Sequence, residues 1–112
     1  VGAILTYAIL TGLNLKGKSL AGVDLSGANL KGADLTGVNL AGVNLKNAKL
    51  KAVNFAGVNL TSANLEGANL EGANLEGANL EGANLEGANL KGAVCPSGSR
   101  AQGQPAVCPD LG

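Results

Sequence analysis

The sequence predicts an all-β solenoid, a chain that bends every few residues and winds around an aliphatic interior. Three observations carry this reading. A leucine or its stand-in recurs every fifth residue, from Leu5 and Leu10 through Leu50, Phe55 and Leu60 to Leu90. Alanine or valine stands two residues before most of these, with asparagine or aspartate between. Glycine usually follows two residues after.

Neither regular element tolerates this spacing. An α-helix advances about 100° per residue, so a five-residue step of roughly 500° displaces each leucine by about 140° and makes no stripe. A continuous strand alternates its faces with period two, so an odd repeat would send successive leucines to opposite sides. Within one unit the problem vanishes. Ala28 and Leu30 share a face if the residues between them are extended, Asn29 points outward, and Gly32 can take positive φ and turn the chain. Repeated extended segments and corners coil the backbone, and each coil pairs with its neighbours at a spacing of ~4.8 Å.

The number of units per coil is tested weakly by charges at the fourth motif position, because like charges stacked directly are unfavourable. Three units per coil would stack Lys16, Lys31 and Lys46 and pair Glu66 with Glu81 and Glu71 with Glu86. Four give Lys51–Glu71–Lys91 and Lys46–Glu66, against Lys31–Lys51 and Glu66–Glu86. Five avoid like-charge neighbours altogether. The charges disfavour a triangle and leave four and five open.

Units such as Ala28-Asn29-Leu30-Lys31-Gly32 and Ala63-Asn64-Leu65-Glu66-Gly67 resemble the motif A(D/N)LXX of the pentapeptide-repeat family, over roughly residues 13 to 93. That resemblance implies a right-handed quadrilateral β-helix with about twenty residues per coil and about four to five coils. In this register Phe55 would stack between Leu35 and Leu75. The expected core includes Leu30, Leu35, Leu50, Phe55, Leu60 and Leu75.

Taken in chain order, residues 1–12 are expected to form an N-terminal cap or an irregular first coil. Ile4 and Ile9 occupy outward positions that hold Asn or Asp elsewhere, and Tyr7 takes a glycine position. A short helix over residues 2–11, ended by Gly12, is one form of such a cap. An apolar outer face for a partner or a removed segment is the other. Residues 13–94 form the repeat, distorted where Lys18 replaces a small inward residue. Residues 95–112 break it. Pro96, Gly98, Gly103, Pro105 and Pro109 oppose regular structure, and this tail is expected to cover the open strand edges of the last coil.

Cys95 falls on the leucine register, where a small buried residue would serve. The alternative is a Cys95–Cys108 disulfide closing the tail loop, worth ~3 kcal/mol in the chain-entropy model. A disulfide points to a secreted, periplasmic or thylakoid-lumenal setting, and free thiols to the cytoplasm. The chain begins at Val1 without methionine, which suggests a processed or truncated start.

Little chemistry is expected. Among 112 residues there is no histidine, the commonest general base and metal ligand. Two cysteines alone complete no zinc site. The serines at 19, 26, 62, 97 and 99 have no evident base, and the corner glycines form no phosphate loop. No catalytic residue, metal ligand or cofactor is expected, and the protein reads as a non-enzyme. Thr11, Thr36 and Thr61 fall in different columns, which removes an ice-binding grid. The Asn29, Asn69 and Asn89 column is expected to bond along the axis through stacked amides.

Formal net charge is zero, so no field draws the chain to nucleic acid or acidic membranes, and no apolar run is long enough to insert into a bilayer. Its distribution is uneven: Lys16, Lys18, Lys31, Lys46, Lys49 and Lys51 lie in the first half, and Glu66, Glu71, Glu76, Glu81 and Glu86 occupy successive units of the second. These glutamates form a possible interaction surface. The expected role is a structural or protein-binding rod, monomeric or an end-to-end dimer, with an unidentified protein partner. Many proteins that this chain resembles are cyanobacterial or plastid-lumenal. Some members of the resembled family mimic duplex DNA and bind DNA gyrase, which makes a gyrase-directed mimic the alternative. Those members are longer, strongly acidic rods with a C-terminal dimerisation helix. This chain departs in charge, length and tail, so no functional residue is carried over.

Overall fold

The computed structural model describes residues 5–101 and 107–108. Bridges join residue i to residue i+20 in parallel, from Ile9↔Asn29 through Asn54↔Asn74 to Asn74↔Val94. Four five-residue units therefore close each turn of the chain, one unit to a side. The molecule measures 35 × 24 × 21 Å.

Why this sequence adopts the winding is clearest from the five backbone N–H groups of one unit. Ala28 N–H closes the preceding corner on the Leu25 carbonyl at 3.0 Å. Asn29 donates back one coil to Ala8 at 2.8 Å, and Leu30 donates forward to Lys49 at 2.8 Å. Gly32 also donates forward, to Lys51 at 3.0 Å. The remaining donor, Lys31 N–H, bonds to Asn29 Oδ1 at 3.1 Å. All five donors are satisfied without a regular strand or helix, as buried backbone requires.

The outward Asn or Asp is therefore a turn residue. From Asn14 to Asn89, each one at this position accepts the N–H two residues ahead. The axial amide ladder expected for Asn29, Asn69 and Asn89 gives way to these local bonds, in which each Oδ1 accepts the N–H of Lys31, Glu71 or Lys91 within its own turn. At the corner itself, a bond from the fourth residue to the first combines with positive φ at the third, while the second stays out of that region. These features define a type II turn and explain the glycine. Tyr7, Asn47, Ala52 and Ser62 take the same left-handed conformation without being glycine, with φ between 58° and 60°.

Inside the coils the leucine and alanine or valine positions form one continuous core from Val23 to Ala93, extended by Cys95 and Cys108. Leu30, Leu35, Leu50, Leu60 and Leu75 are fully buried. So is Phe55, the largest side chain among them. No polar or charged side chain among the described residues is buried.

At the N-terminal end, Ile4 and the other residues before Leu5 lie outside the described residues. Residues 5–12 follow the repeat: Leu5 N–H bonds to Asp24 and Leu10 N–H to Asn29, so no helix forms over this stretch. Ile9 takes the outward bridging position with 79% of its surface exposed. Lys18 also keeps register. Its side chain is exposed, and the bond from Asn39 N–H to its carbonyl is stretched to 3.4 Å.

At the other end the chain reverses. Val94 pairs antiparallel with Arg100, Cys95 N–H bonds to Ser99, and Ala101 N–H returns to Ala93 at 3.0 Å. Arg100 Nη1 donates to the Gly92 carbonyl. Cys95 and Cys108 form a disulfide across a separation of 13 residues, and both are buried. Gly103, Pro105 and Pro109 lie outside the described residues.

Candidate functional site

The backbone holds the polar side chains in rows along the flanks of the rod. In the row containing Lys46, its ammonium lies 3.7 Å from the Glu66 carboxylate; in the next, Lys51 lies 3.4 Å from Glu71. Both pairs are partly exposed, so each contributes no more than about 1 kcal/mol. Glu76, Glu81 and Glu86 are exposed on three successive sides and make no ion pair with a described residue. The five glutamates thus separate into two neutralised carboxylates and three open ones. Lys16, Lys18, Lys31 and Lys49 are exposed nearer the N-terminal end.

The other candidate groups serve turns. Ser26 Oγ donates to Asp24 Oδ1, and Ser97 and Ser99 hydroxyls lie 2.9 Å apart. Thr36 gives Asp34 both its hydroxyl and its N–H. These bonds, the hydroxyl first, hold the Asp34 carboxyl below the ordinary aspartate value, with a smaller contribution from Lys16. The effect is that of a turn acceptor stabilised in its charged form. Among the described residues no cluster of His, Cys, Asp and Glu could hold a metal ion, and no helix is long and apolar enough to cross a membrane.

The strand edges of the last coil, which the tail is expected to cover, are paired by described tail residues at Val94. On the last coil the N–H groups of Leu80, Gly82, Leu85 and Gly87 have no partner among the described residues, and Ala83, Leu85 and Ala88 are only half-buried. An open depression here is lined by Leu80, Gly82, Ala83 and Pro96. Leu5 and Leu13 are exposed among the first described residues.

The family model of pentapeptide repeats matches residues 19–57 and 54–92. No curated protein sequence matches the chain. Among solved structures, the pentapeptide repeat protein Rfr23 from the cyanobacterium Cyanothece 51142 is 49% identical with a TM-score of 0.75, over 76% of this chain and 58% of that one. A pentapeptide repeat protein of the Arabidopsis thaliana thylakoid lumen is 33% identical over 80% of this chain and 66% of that one, with a TM-score of 0.47. QnrB1, a plasmid-mediated fluoroquinolone resistance protein, is 22% identical with a TM-score of 0.58, over 74% of this chain and 50% of that one. The last likeness is one of fold alone. The chain spans about half to two thirds of the length of these structures. Likeness to pentapeptide repeat structures implies a right-handed quadrilateral β-helix.

Proposed function

The chain belongs to the pentapeptide-repeat family, and from that premise we propose that it is a non-catalytic rod that binds a protein partner through carboxylates ranged around the sides of its C-terminal half. One observation carries the reading: Glu76, Glu81 and Glu86 stand exposed and unpaired among described residues on three successive sides of the rod, while Glu66 and Glu71 are paired with lysines. Their backbone is fixed by coil-to-coil bonds, so a partner presenting lysines or arginines at matching intervals meets carboxylates already in place. Such preorganisation lowers the ordering cost of binding. Among the described residues the aliphatic interior holds no buried charged side chain to tune for catalysis.

Residues 13–94 supply the rod, and residues 95–112 act as a cap at the side of Val94. The buried disulfide suits an oxidising setting such as the periplasm, the cell exterior or the thylakoid lumen.

The test is capture from native extract with the wild-type chain and with a Glu76→Gln, Glu81→Gln, Glu86→Gln variant. A partner held at low salt by wild type and lost from the variant supports binding through these carboxylates; equal capture by both refutes it. DNA mimicry of the gyrase-binding kind is the alternative within the family. A supercoiling assay separates the two. Inertness fits the protein-binding rod, and inhibition at micromolar chain that the triple variant abolishes moves the assignment to the mimic.

A further inference from the structure

One side of the rod carries its charge in an ordered pattern. Its outward bridging residues are Asn29, Lys49, Asn69 and Asn89 in series. One corner beside them holds the row Ser26, Lys46, Glu66 and Glu86, and the other holds Lys31, Lys51, Glu71 and Lys91. The coil of Lys49 thus puts lysine in the middle of this side and at both of its corners. The next coil answers with Glu66, Asn69 and Glu71.

The winding is weakened locally where the lysines stand. Lys49 occupies the place where most units carry an Asn or Asp that accepts the N–H two residues ahead. Lys51 N–H accordingly has no hydrogen-bond partner among the described residues. Both corners around Lys49 are left-handed without glycine, at Asn47 with φ 58° and at Ala52 with φ 60°. A lost turn bond and two corners that side chains resist all act against the fold. They converge on one side of one coil, and local rules of folding are broken chiefly where a surface has another use.

The pattern is antisymmetric about the gap between these two coils, with lysine at both corners below it and glutamate at both corners above. Such a surface is complementary to itself. A second copy, turned end for end and laid against this side with the two gaps aligned, sets Lys46 opposite the partner's Glu66. The same turn sets Lys51 opposite the partner's Glu71 and Lys49 opposite the partner's Asn69, each contact occurring twice. Lys46 and Glu66 lie 3.7 Å apart within one copy, and Lys51 and Glu71 3.4 Å. Four charges of alternating sign would therefore meet at each corner, a network in which every charge has two opposite neighbours, whereas isolated exposed pairs contribute little.

Other arrangements fail on charge. Sliding one copy by one coil sets Lys46 on the partner's Lys46 or Glu66 on the partner's Glu66. Sliding by two sets Lys31 on the partner's Lys51 or Glu66 on the partner's Glu86. Parallel rods set Lys46 on the partner's Lys51. In the favoured register the like pair is Lys31 with the partner's Lys91, at the margin, where long exposed side chains diverge into water. A nucleic-acid strand running along this side would leave the lysines after one coil and meet Glu66 and Glu71. We propose that this side is a self-docking surface, on which two copies of the chain pair antiparallel about the gap between Lys49 and Asn69. A side ~20 Å across and four coils of ~4.8 Å high offers on the order of 400 Å² per copy, the size of a transient contact. The contact is isologous, so it closes at two copies, and being charged it weakens with salt. It employs Glu66 and Glu71 and leaves Glu76 and Glu81 facing elsewhere, so it stands apart from the proposed capture of another protein.

Sedimentation velocity over a concentration series, at low and at high salt, tests this with the wild-type chain and two charge reversals. Wild type should shift from monomer toward dimer with concentration at low salt and return to monomer at high salt. A Lys46→Glu, Lys51→Glu variant and a Glu66→Lys, Glu71→Lys variant each carry one sign on both coils, so each should be monomeric alone. An equal mixture of the two should dimerise more tightly than wild type, because every corner of one then faces the opposite charge on the other. Wild type that stays monomeric at low salt, reversals that associate as wild type does, or a mixture that fails to pair overturns the proposal. The wild-type salt comparison needs no substitution and decides alone if a variant does not fold.

Discussion

Replacing Gly67 by alanine should cost more than the same change at Gly32, although both are corner glycines at φ 68° and 71°. An L-residue in this left-handed conformation is disfavoured by about 1–2 kcal/mol. Loss of glycine's freedom in the unfolded chain offsets about 0.4–1 kcal/mol of that. At Gly32 nothing lies within 4 Å of an added Cβ, so the net loss there is about 0.5–1 kcal/mol. At Gly67 the added methyl would meet Asn47 Oδ1, whose residue occupies the corner one coil below. Asn47 must leave its rotamer, which adds about 0.5–1.5 kcal/mol. Urea unfolding followed by circular dichroism measures both variants, with unchanged slopes marking unchanged two-state behaviour. In an Asn47→Gly background the cost of Gly67→Ala should fall to the Gly32 value. Equal losses at the two glycines, or no relief from Asn47→Gly, would refute the corner stacking.

Phe55→Ala, at a site with no exposed surface, should lose about 3–5 kcal/mol by the same urea assay, whereas Leu85→Ala, half-buried on an open coil edge, should lose less than half as much. Reduction of Cys95–Cys108, which closes a loop of 13 residues' separation, should lower stability by about 3 kcal/mol in monomer at low concentration. Carbon-detected NMR titration should give Asp34 a midpoint below 3.8, and Thr36→Val should raise it by removing the leading hydrogen bond. Because the folded value is depressed, the Asp34 contribution to stability is complete above the unfolded value and is lost as pH falls through the folded one.

The unit was legible because each of its five positions has a separate steric duty. Leu30 and Ala28 fill the column, Gly32 takes the φ a side chain resists, and Asn29 faces out. What Asn29 does there was less legible, because stacking along the axis and bonding to its own turn need the same outward amide. Coil size was only half legible. The pairs Lys46–Glu66 and Lys51–Glu71 follow the twenty-residue register, yet Lys31 over Lys51 and Glu66 over Glu86 coexist with them. Long exposed side chains diverge into water, so like-charge stacking costs too little to exclude a register. At the N-terminal end, Ile9 and Tyr7 left a cap or an irregular first coil open in the sequence, and from residue 5 onward the backbone bonds of Leu5 to Asp24 and Leu10 to Asn29 follow the repeat. The exposed glutamates were visible in the sequence, and their division into paired and open carboxylates was not, since it depends on which lysine lies one coil below. That the last coil has strand edges followed from the repeat, but which of them the tail pairs did not, because backbone donors and acceptors are common to every residue.

The most direct measurement is a set of nuclear Overhauser contacts from the Phe55 ring in the folded chain. A four-sided coil with an aliphatic interior places this ring between residues twenty positions away on either side, so its protons should touch the methyl groups of Leu35 and Leu75. Contacts to Leu40 and Leu70 instead would mean three units per turn, contacts to Leu30 and Leu80 would mean five, and a ring in contact with water alone would end the solenoid description.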